Sequence, residues 1–500
     1  MKVLRKLAVL LAIFGLALLC PACPSHDMTK NTEEEPVVPV TGIALEKKTL
    51  TMTIFGRETL NFVLSPPNAS VKEVRWSSSN PNVASVSDIG IVTALNYTTG
   101  GTSTDSTAAT GSATITVKTV DGNFSDSITI TTTMAGQADM MTLPPLKEQF
   151  SDYFMIGNIF NPTDAVSASE INNILLTYHY NILTHENNMK PSYLCNALRG
   201  SYNMNNLNTA MRMIDAAIAD GIKIQGHTLL WHSQIPFWQS SLRNSGTASD
   251  ALQYMQEYIT YIVTFFKGKI YGWDVLNEAF PDNVGASADW KQSMRDGSAD
   301  GNPWFMRIGA GFVYEAFKAA RLADPGAILY YNDYNMDNEN KARVVANMVH
   351  DVNAQWLTDP EYDNRLLIEG IGMQSHHNIT VPVARIKASL DRFRELGVKI
   401  SITELDVLSQ SWDDFCNNPA LSSNYNETTT TNNGRQTAAS LYGQYFRLFL
   451  ENANIIERVT FWGVCDEQSW RAKGRPLLFE GAISARAKPA YYEVIGALEQ

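Results

Sequence analysis

Cysteine is scarce in this chain of 500 residues, which contains only five. Cys20 and Cys23 lie near the N-terminus, and Cys195, Cys416 and Cys465 are scattered over the remainder. These last three are odd in number and widely spaced, so the sequence predicts no disulfide framework. No metal-binding spacing includes them either. The sequence therefore gives no sign of a disulfide-stapled fold or of a cysteine metal site.

Positive charge is also in short supply. Lys and Arg number 39 against 51 Asp and Glu, which gives a formal net charge of −12. This balance argues against a nucleic-acid backbone as the partner, and it suits a secreted protein that acts on a neutral polymer. The hydrophobic fraction of 44% excludes wholesale disorder. The length predicts two or three domains.

The apolar run at residues 7–19 is too short to span a bilayer and follows three basic residues. It is typical of a signal peptide, so residues 1–23 are predicted to be a targeting segment. A cysteine directly after such a run resembles a bacterial lipoprotein cleavage site. Ala22 before Cys23 is suitably small, whereas Leu19 before Cys20 is not. We predict lipidation at Cys23, with ordinary cleavage and release as the alternative.

Residues 24–40 read as a flexible spacer, and residues 41–133 have a different composition, rich in Thr, Ser and Val. Alternating runs at 112–117 and 127–131 predict a small all-β sandwich. The string at 74–94 resembles the bacterial immunoglobulin-like domain of group 2. Such a domain is either a spacer or a carbohydrate-binding module. The spacer is favoured because no aromatic stripe is visible, and Trp76 is expected in the core.

A linker is predicted at 134–146, and strands then alternate with helices over residues 147–500. Eight candidate strands lie at 154–160, 180–184, 223–228, 270–276, 327–331, 366–373, 398–403 and 457–462. Eight such units predict a (β/α)8 barrel of the α/β class. An open doubly wound sheet is the alternative, but no glycine-rich phosphate turn follows any of these strands.

Two strings place a glutamate at the end of an apolar strand. They are Trp-Asp-Val-Leu-Asn-Glu at 273–278 and Ile-Ser-Ile-Thr-Glu-Leu-Asp at 400–406. The C-terminal strand ends of a barrel meet at one rim, so Glu278 and Glu404 are expected to face each other. Two facing carboxyl groups, one protonated and one ionised, are what hydrolysis of a glycosidic bond needs.

The other strand ends carry polar and aromatic residues suited to sugar hydroxyls and to the apolar faces of pyranose rings. They include Glu186, Asn187, Lys190, His227, Trp231, Gln234, Asn332, Tyr334, Gln374, His376, Asp406, Trp462 and Trp470. Four histidines lie at this rim and raise the alternative of a zinc site. Their spacing is not that of a helical metal motif, so hydrogen-bond donors are favoured and no metal or organic cofactor is expected.

Together these strings resemble the family 10 glycoside hydrolases, which are mainly endo-1,4-β-xylanases. The motifs are Glu-Asn-x-Met-Lys, Gly-His-Thr-Leu-x-Trp-His-Ser-Gln, Trp-Asp-Val-x-Asn-Glu-Ala, Asn-Asp-Tyr-Asn, Gln-Ser-His and Thr-Glu-Leu-Asp, spread from about Met155 to the C-terminus. The resemblance implies that Glu278 is the general acid/base and Glu404 the nucleophile. It also implies retention of configuration, with the carboxyl groups about 5–5.5 Å apart.

The resemblance assigns further roles around these two glutamates. Asn277 is expected to bond the sugar 2-hydroxyl, and His376 and Asp406 to fix Glu404. Glycone-side contacts are implied for Glu186, Asn187, Lys190, His227, Trp231 and Gln234, while Trp462 and Trp470 wall the cleft. Asn332, Tyr334 and Gln374 are either supporting or aglycone-side residues. Asp274 is expected to be structural.

Three departures from the family pattern stand out. Gln225 occupies a position that is often basic, Cys465 one that is often Thr or Ser, and residues 409–435 form a longer loop than usual. The loop either reshapes the aglycone side or is a disordered surface insertion.

The sequence therefore predicts an exported, monomeric, retaining endo-1,4-β-xylanase that acts on xylan or xylo-oligosaccharides. Lipid anchoring would place it at the cell surface or facing the periplasm; otherwise it is secreted. An endo-β-glucanase on the same barrel is the second hypothesis, and a non-catalytic xylan-binding protein is the third.

Overall fold

The structure is a computed structural model. It describes residues 37–53, 57–81, 83–94, 110–133, 143–161, 176–297, 300–417, 432–480 and 485–499. The predicted targeting segment with Cys20 and Cys23 lies outside these residues, as do 134–142 of the predicted linker and 418–431 of the long loop. In the part of the chain that is described, no helix is long and apolar enough to cross a membrane.

The N-terminal part is a small all-β domain, as predicted. The described residues of this domain form β1 (Gly42–Leu45), β2 (Thr49–Thr53), β3 (Arg57–Thr59), β4 (Phe62–Ser65), β5 (Val74–Ser78), β6 (Ala84–Val86), β7 (Ile91–Ala94), β8 (Thr110–Thr119) and β9 (Ser125–Thr133). They form sheets in the orders β2-β9-β8-β5, β3-β7-β6 and β1-β4. Alternate residues such as Ala113, Ile115 and Val117 point into the core because side chains alternate along a strand.

Trp76 packs against this core, as expected, rather than forming a surface platform. Its ring meets Phe62 edge to face, with centroids 6.0 Å apart. Gly90 has a φ of +81° and lies under the indole, where a Cβ atom would come within 2.8 Å of the ring. The close approach and the left-handed backbone both require glycine at this turn.

The C-terminal part is a closed (β/α)8 barrel, which confirms the predicted fold. Its strands are β10 (Met155–Phe160), β11 (Ile182–His185), β12 (Lys223–Leu230), β13 (Gly272–Asn277), β14 (Ile328–Asp333), β15 (Gly370–Met373), β17 (Lys399–Leu408) and β18 (Ile456–Phe461). All neighbouring pairs are parallel, and the β10–β18 and β15–β17 pairings close the ring. Further short strands among the described residues lie outside the ring, namely β16 (His376–Asn378), β19 (Phe479–Glu480) and β20 (Arg486–Ala487).

Helices follow most barrel strands. They span Leu146–Gln149, Pro191–Leu194, Met204–Ala219, Phe237–Ser241, Ala248–Phe265, Pro303–Ile308, Phe312–Ala323, Glu339–Trp356, Val383–Arg394, Trp412–Asn417, Asn432–Glu451 and Pro489–Gly496. Ala248–Phe265 is typical: Thr247 accepts a hydrogen bond from the Asp250 amide and caps the start. Its buried residues, such as Met255, Ile259 and Ile262, recur at helical spacing and pack on the sheet.

Glycine makes room for aromatic side chains on both faces of the barrel sheet. A Cβ atom on Gly370 would lie 2.2 Å from the Tyr330 ring, and one on Gly226 would lie 2.3 Å from the Trp273 ring. Trp273 faces the helix layer, where its ring meets Phe266. Large rings and bare glycines therefore fill space together, as close packing requires.

The main difference from the predicted strands is the length of β17. It was expected to end at residue 403, yet it continues to Leu408. The reason is β16, which pairs with this extension and aligns His376 with Asp406. Glu404 therefore lies within a strand and is held more firmly than a residue in a loop.

Candidate active site

Glu278 and Glu404 both lie at the C-terminal end of the barrel. Glu278 follows β13 directly, and Glu404 lies in β17, with β14 and β15 between these two strands. The backbone of Glu278 is in the left-handed region, with a φ of +54°. Such a conformation is costly for a residue other than glycine and is concentrated at functional sites. Gln234 and Ser375, at the same rim, have positive φ angles as well.

Asn332 and Gln374 connect the two glutamates crosswise. The Asn332 side chain donates to Glu404 Oε1 at 2.8 Å, while the main-chain carbonyl of Asn332 accepts from the main-chain N–H of Glu278 at 2.9 Å. The Gln374 side chain donates to Glu278 Oε1 at 2.9 Å, and the main-chain carbonyl of Gln374 accepts from the main-chain N–H of Glu404 at 2.9 Å. Both side chains also donate to Asn277 Oδ1. Asn332 and Gln374 therefore fix the position of each carboxyl group relative to the other.

The carboxyl group of Glu278 is enclosed. Trp231 Nε1 donates to its Oε2 at 2.8 Å, and His232 Nδ1 lies 3.8 Å from the same oxygen. Burial raises the pKa of Glu278, and the negative charges of Asp333 and Glu404 act in the same direction. The hydrogen bonds from Gln374 and Trp231 oppose this shift but do not cancel it. The environment therefore favours the protonated acid.

The carboxyl group of Glu404 has the opposite environment. Burial opposes its ionisation, but the hydrogen bond from His376, the electrostatic interactions with the His227 and His376 side chains, and the Asn332 hydrogen bond together lower its pKa. His376 Nε2 lies 3.1 Å from Glu404 Oε2. Two chemically identical side chains therefore have pKa values shifted in opposite directions, as an acid and a nucleophile require.

His376 is held as a cation by Asp406. Its Nδ1 lies 3.0 Å from Asp406 Oδ2. Burial lowers the pKa of His376, but the charges of Asp406 and Glu404 and the hydrogen bonds to both carboxylates together raise it to about 9. The buried guanidinium of Arg471 pairs with the other oxygen of Asp406. A buried chain of alternating charge thus runs from Arg471 through Asp406 and His376 to Glu404.

His227 belongs to a second buried charge group. Its Nδ1 lies 2.9 Å from Asp274 Oδ2, and Gln225 Nε2 donates to Asp274 Oδ1 at 2.8 Å. Arg458 on β18 places a nitrogen 4.0 Å from that oxygen. Gln225 stands where the family pattern often has a basic residue, and Arg458 brings a positive charge to Asp274 from another strand.

Four of the six residues expected on the glycone side contact one another: Asn187, Lys190, Trp231 and Gln234. Glu186 accepts from Asn161 at 2.7 Å, and Asn187 accepts from Lys190 at 3.0 Å and from Gln234 at 3.4 Å. The Lys190 ammonium group lies 5.1 Å from the centroid of the Trp231 ring. Burial lowers the pKa of Lys190, and the charges of Glu404, Glu186 and Glu278 counteract the shift. This group therefore lies within the electrostatic field of both central glutamates.

The two expected cleft tryptophans differ in exposure. Trp470 is 57% exposed and its ring centroid lies 5.2 Å from that of His376. Trp462 is only 6% exposed and meets His227 and His376 edge to face at 5.5 and 6.4 Å. Trp470 presents an open face, whereas Trp462 mainly packs against the two histidines.

Tyr334 lies in a neighbouring polar cluster. Its hydroxyl accepts from Arg295 at 2.7 Å and bonds to Asp282, and the Lys341 ammonium lies 3.7 Å from its ring centroid. Lys341 also pairs at 2.7 Å with Asp333, and both of these side chains are fully buried. This pair and Arg471 were missed in the sequence because a buried ion pair leaves no local signal, although Asp333 and Arg471 each adjoin a residue that was predicted.

A family model for glycosyl hydrolase family 10 matches residues 145–497 of this chain, and one for the bacterial Ig-like domain of group 2 matches residues 39–130. The chain belongs to glycosyl hydrolase family 10. The family retains anomeric configuration, and the predicted resemblance is confirmed for both parts.

Several family 10 relatives are xylanases. Endo-1,4-beta-xylanase A of Thermotoga maritima is 35% identical over 359 residues, covering 71% of this chain and 31% of that protein. The chain thus spans about a third of the length of this relative. The endo-1,4-beta-xylanase of Geobacillus stearothermophilus is 33% identical, covering 71% of this chain and 98% of that protein.

One solved structure has both parts of this chain. It is a bacterial Ig-like domain containing family 10 xylanase from termite gut, with 48% identity, a TM-score of 0.67, and coverage of 90% of this chain and 98% of that one. A family 10 fold with an attached Ig-like domain therefore has an experimental counterpart.

The four rim histidines of this family 10 barrel have separate partners. His227 pairs with Asp274, His232 lies 3.8 Å from Glu278, His376 pairs with Glu404 and Asp406, and the His377 ring packs on Tyr445 at 5.3 Å. Burial lowers the pKa of His232 and of His377 to about 4. Within the described residues, no group of three or more His, Cys, Asp or Glu side chains is arranged to hold a metal ion.

Proposed function

We propose that this protein is a retaining endo-1,4-β-xylanase in which Glu404 is the nucleophile and Glu278 the general acid/base. The observation that carries the proposal is the crosswise bonding of the two glutamates in environments that shift their pKa values in opposite directions. The names of the family 10 relatives support xylan as the substrate class.

The first step forms a covalent glycosyl-enzyme ester. The ionised Glu404 attacks the anomeric carbon, the bond to the leaving sugar oxygen breaks, and Glu278 donates its proton to that oxygen. His376 keeps Glu404 ionised and oriented before the attack. Asn277 is positioned between the carboxyl groups by Asn332 and Gln374 to bond the 2-hydroxyl of the sugar at the reacting carbon.

The second step hydrolyses the ester. Glu278 takes a proton from a water molecule, whose oxygen attacks the anomeric carbon while Glu404 leaves as a carboxylate. The negative charge of Glu404 is one cause of the raised pKa of Glu278. Because the ester is neutral, that contribution is absent in the intermediate, and Glu278 becomes easier to ionise. One residue therefore serves first as an acid and then as a base.

Activity on defined polysaccharides tests this function. The full chain should release reducing ends from xylan, and Glu278→Gln and Glu404→Gln should each lower the rate by at least about a hundredfold. A higher rate on mixed-linkage β-glucan than on xylan would favour the endo-β-glucanase hypothesis. Tight binding of xylan without any turnover would favour a non-catalytic binding protein.

Export and lipid attachment are also proposed. The apolar run at 7–19 and the small residue before Cys23 support a lipoprotein at the cell surface or facing the periplasm. In cells fed a labelled fatty acid, the wild-type chain and a Cys20→Ser variant should carry the label, whereas Cys23→Ser should not. Label on Cys23→Ser would contradict the proposal.

A monomer with the Ig-like domain as a spacer completes the proposal. The mass of the purified protein by light scattering should be that of one chain. Removal of residues 41–133 should leave binding to insoluble xylan unchanged if that domain is only a spacer.

A further inference from the structure

Three aromatic side chains form an open surface next to the site. We call Trp412, Phe415 and Trp470 the rim aromatic cluster. Trp412 is 48% exposed and Trp470 57% exposed, although an indole is a side chain that folding normally covers. Trp412 and Phe415 lie in the long loop that follows β17, and β17 is the strand that carries Glu404.

The start of the loop is ordered by a helix cap. Ser411 Oγ accepts from the Asp414 amide at 3.1 Å, so the helix Trp412–Asn417 begins at Trp412. Phe415 is three residues further on and therefore lies on the same helix face. The two rings are stacked, with centroids 5.6 Å apart and planes inclined by 28°. Trp412 is thus held in place by its own helix.

Arg471 joins this helix to Trp470. Its guanidinium carbon lies 5.4 Å from the Trp412 ring centroid, 5.9 Å from that of Phe415 and 5.5 Å from that of Trp470. Arg471 itself is only 1% exposed and pairs with Asp406. The rim aromatic cluster is therefore anchored to the same buried chain of charges that positions His376 and Glu404.

Covering Arg471 does not explain the whole arrangement. A ring needs only one face to contact a guanidinium, and both indoles leave about half of their surface open. Trp470 contacts His376 at the site, and Trp412 continues the aromatic surface from there. Arg471 and Asp406 thus connect Trp412 to the residues that hold Glu404, so Trp412 lies beside the site and its open face is available to a substrate chain bound there.

We propose that the outer face of Trp412 is a stacking platform for a neutral sugar ring of the substrate chain, remote from the bond that is cleaved. The inference rests on the proposed function and specifies part of its substrate recognition. An indole face matches the apolar C–H face of a pyranose. Asp413 and Asp414 are exposed beside Trp412, and their negative charge disfavours a uronic-acid branch at this position.

Two substitutions at Trp412 separate stacking from simple coverage of Arg471. Trp412→Leu keeps an apolar cover but removes the flat face, whereas Trp412→Phe keeps a flat ring. In the full chain, kcat/KM is measured on xylohexaose and on an aryl β-xylobioside. The ratio of the two values should fall about three- to tenfold in Trp412→Leu and by less than twofold in Trp412→Phe.

Tyr492 provides the matched control, because it is 56% exposed on the helix Pro489–Gly496. Tyr492→Leu should leave the ratio at the wild-type value. The inference is overturned if Trp412→Leu leaves the ratio unchanged, or if it lowers both rates equally and shifts the pH profile, since Trp412 would then act only through Arg471. Failure of the proposed function is distinct: the wild-type chain would cleave neither substrate.

Discussion

The side-chain nitrogen of Gln374 lies 2.9 Å from Oε1 of Glu278. The main-chain carbonyl of Gln374 accepts a hydrogen bond from the main-chain N–H of Glu404. Gln374 therefore touches the proposed acid with its side chain and the proposed nucleophile with its backbone. A change in its side chain should alter the acid while leaving the nucleophile's backbone contact in place.

Gln374→Met should raise the alkaline limit of activity. The Gln374 hydrogen bond lowers the pKa of Glu278, so its loss raises that pKa further and keeps Glu278 protonated to higher pH. We expect kcat/KM at the optimum to fall about tenfold while the descending limb of its pH profile moves to higher pH. Gln444→Met, on an exposed helix face, serves as the control and should match the wild type. A limb that moves to lower pH would be inconsistent with this role.

Asp406→Asn should make the enzyme lose activity as the pH rises. Asp406 and Glu404 together hold the pKa of His376 at about 9 against the effect of burial, so in the wild type the imidazolium is present below about that pH. Without Asp406 the pKa of His376 falls, the cation beside Glu404 is lost at lower pH, and activity declines there. The measurement is kcat/KM from acid pH to about 9, and an unchanged alkaline limb would argue against the charge chain.

Asp333→Asn should destabilise the barrel more than removal of the whole ion pair. Asp333 and Lys341 are fully buried 2.7 Å apart, and breaking such a pair from one side costs about 3–5 kcal/mol. Asp333→Asn combined with Lys341→Met should recover much of that loss, as measured by urea unfolding. If the double variant were no more stable than Asp333→Asn alone, the unpaired Lys341 charge would not be the source of the loss.

The same Asp333→Asn variant should also shift the pH profile. The Asp333 charge raises the pKa of Glu278, so its removal lowers that pKa and moves the descending limb of kcat/KM to lower pH. This direction is opposite to the one expected for Gln374→Met, and the two variants can be compared on one short substrate.

Gly370→Ala should disturb the barrel interior. The new Cβ atom would meet the Tyr330 ring at 2.2 Å, and overpacking of this kind costs about 1–3 kcal/mol. Gly285→Ala is the matched control, since a Cβ atom there meets nothing within 4 Å. The free energies of unfolding of the two variants should differ accordingly. Equal values would mean that Tyr330 moves aside at no cost.

The barrel and its two glutamates were predictable because their signals are local. Apolar runs mark the strands, and Glu278 and Glu404 come at the ends of two such runs. The motifs around them also identified Trp231, His376 and Gln374, whose side chains each contact one of the two glutamates. Local pattern therefore sufficed for the positions of the central residues.

The interactions between distant strands were not predictable in the same way. Arg471 pairs with Asp406, 65 positions earlier, and Arg458 in the eighth barrel strand approaches Asp274 in the fourth. Such pairs form only when the ring closes, and many lysines and arginines in the sequence look equivalent beforehand. The extension of β17 depends likewise on its pairing with β16.

The most direct test of the account is to trap the covalent intermediate. An activated 2-deoxy-2-fluoro-β-xylobioside should slow the second step and leave one fluoroxylobiosyl group on the full chain, detectable by intact mass. Peptide mapping should place that group on Glu404, and Glu404→Gln should take up none. Labelling of Glu278, or turnover to a product of inverted configuration without any label, would contradict the assignment of Glu404 as the nucleophile.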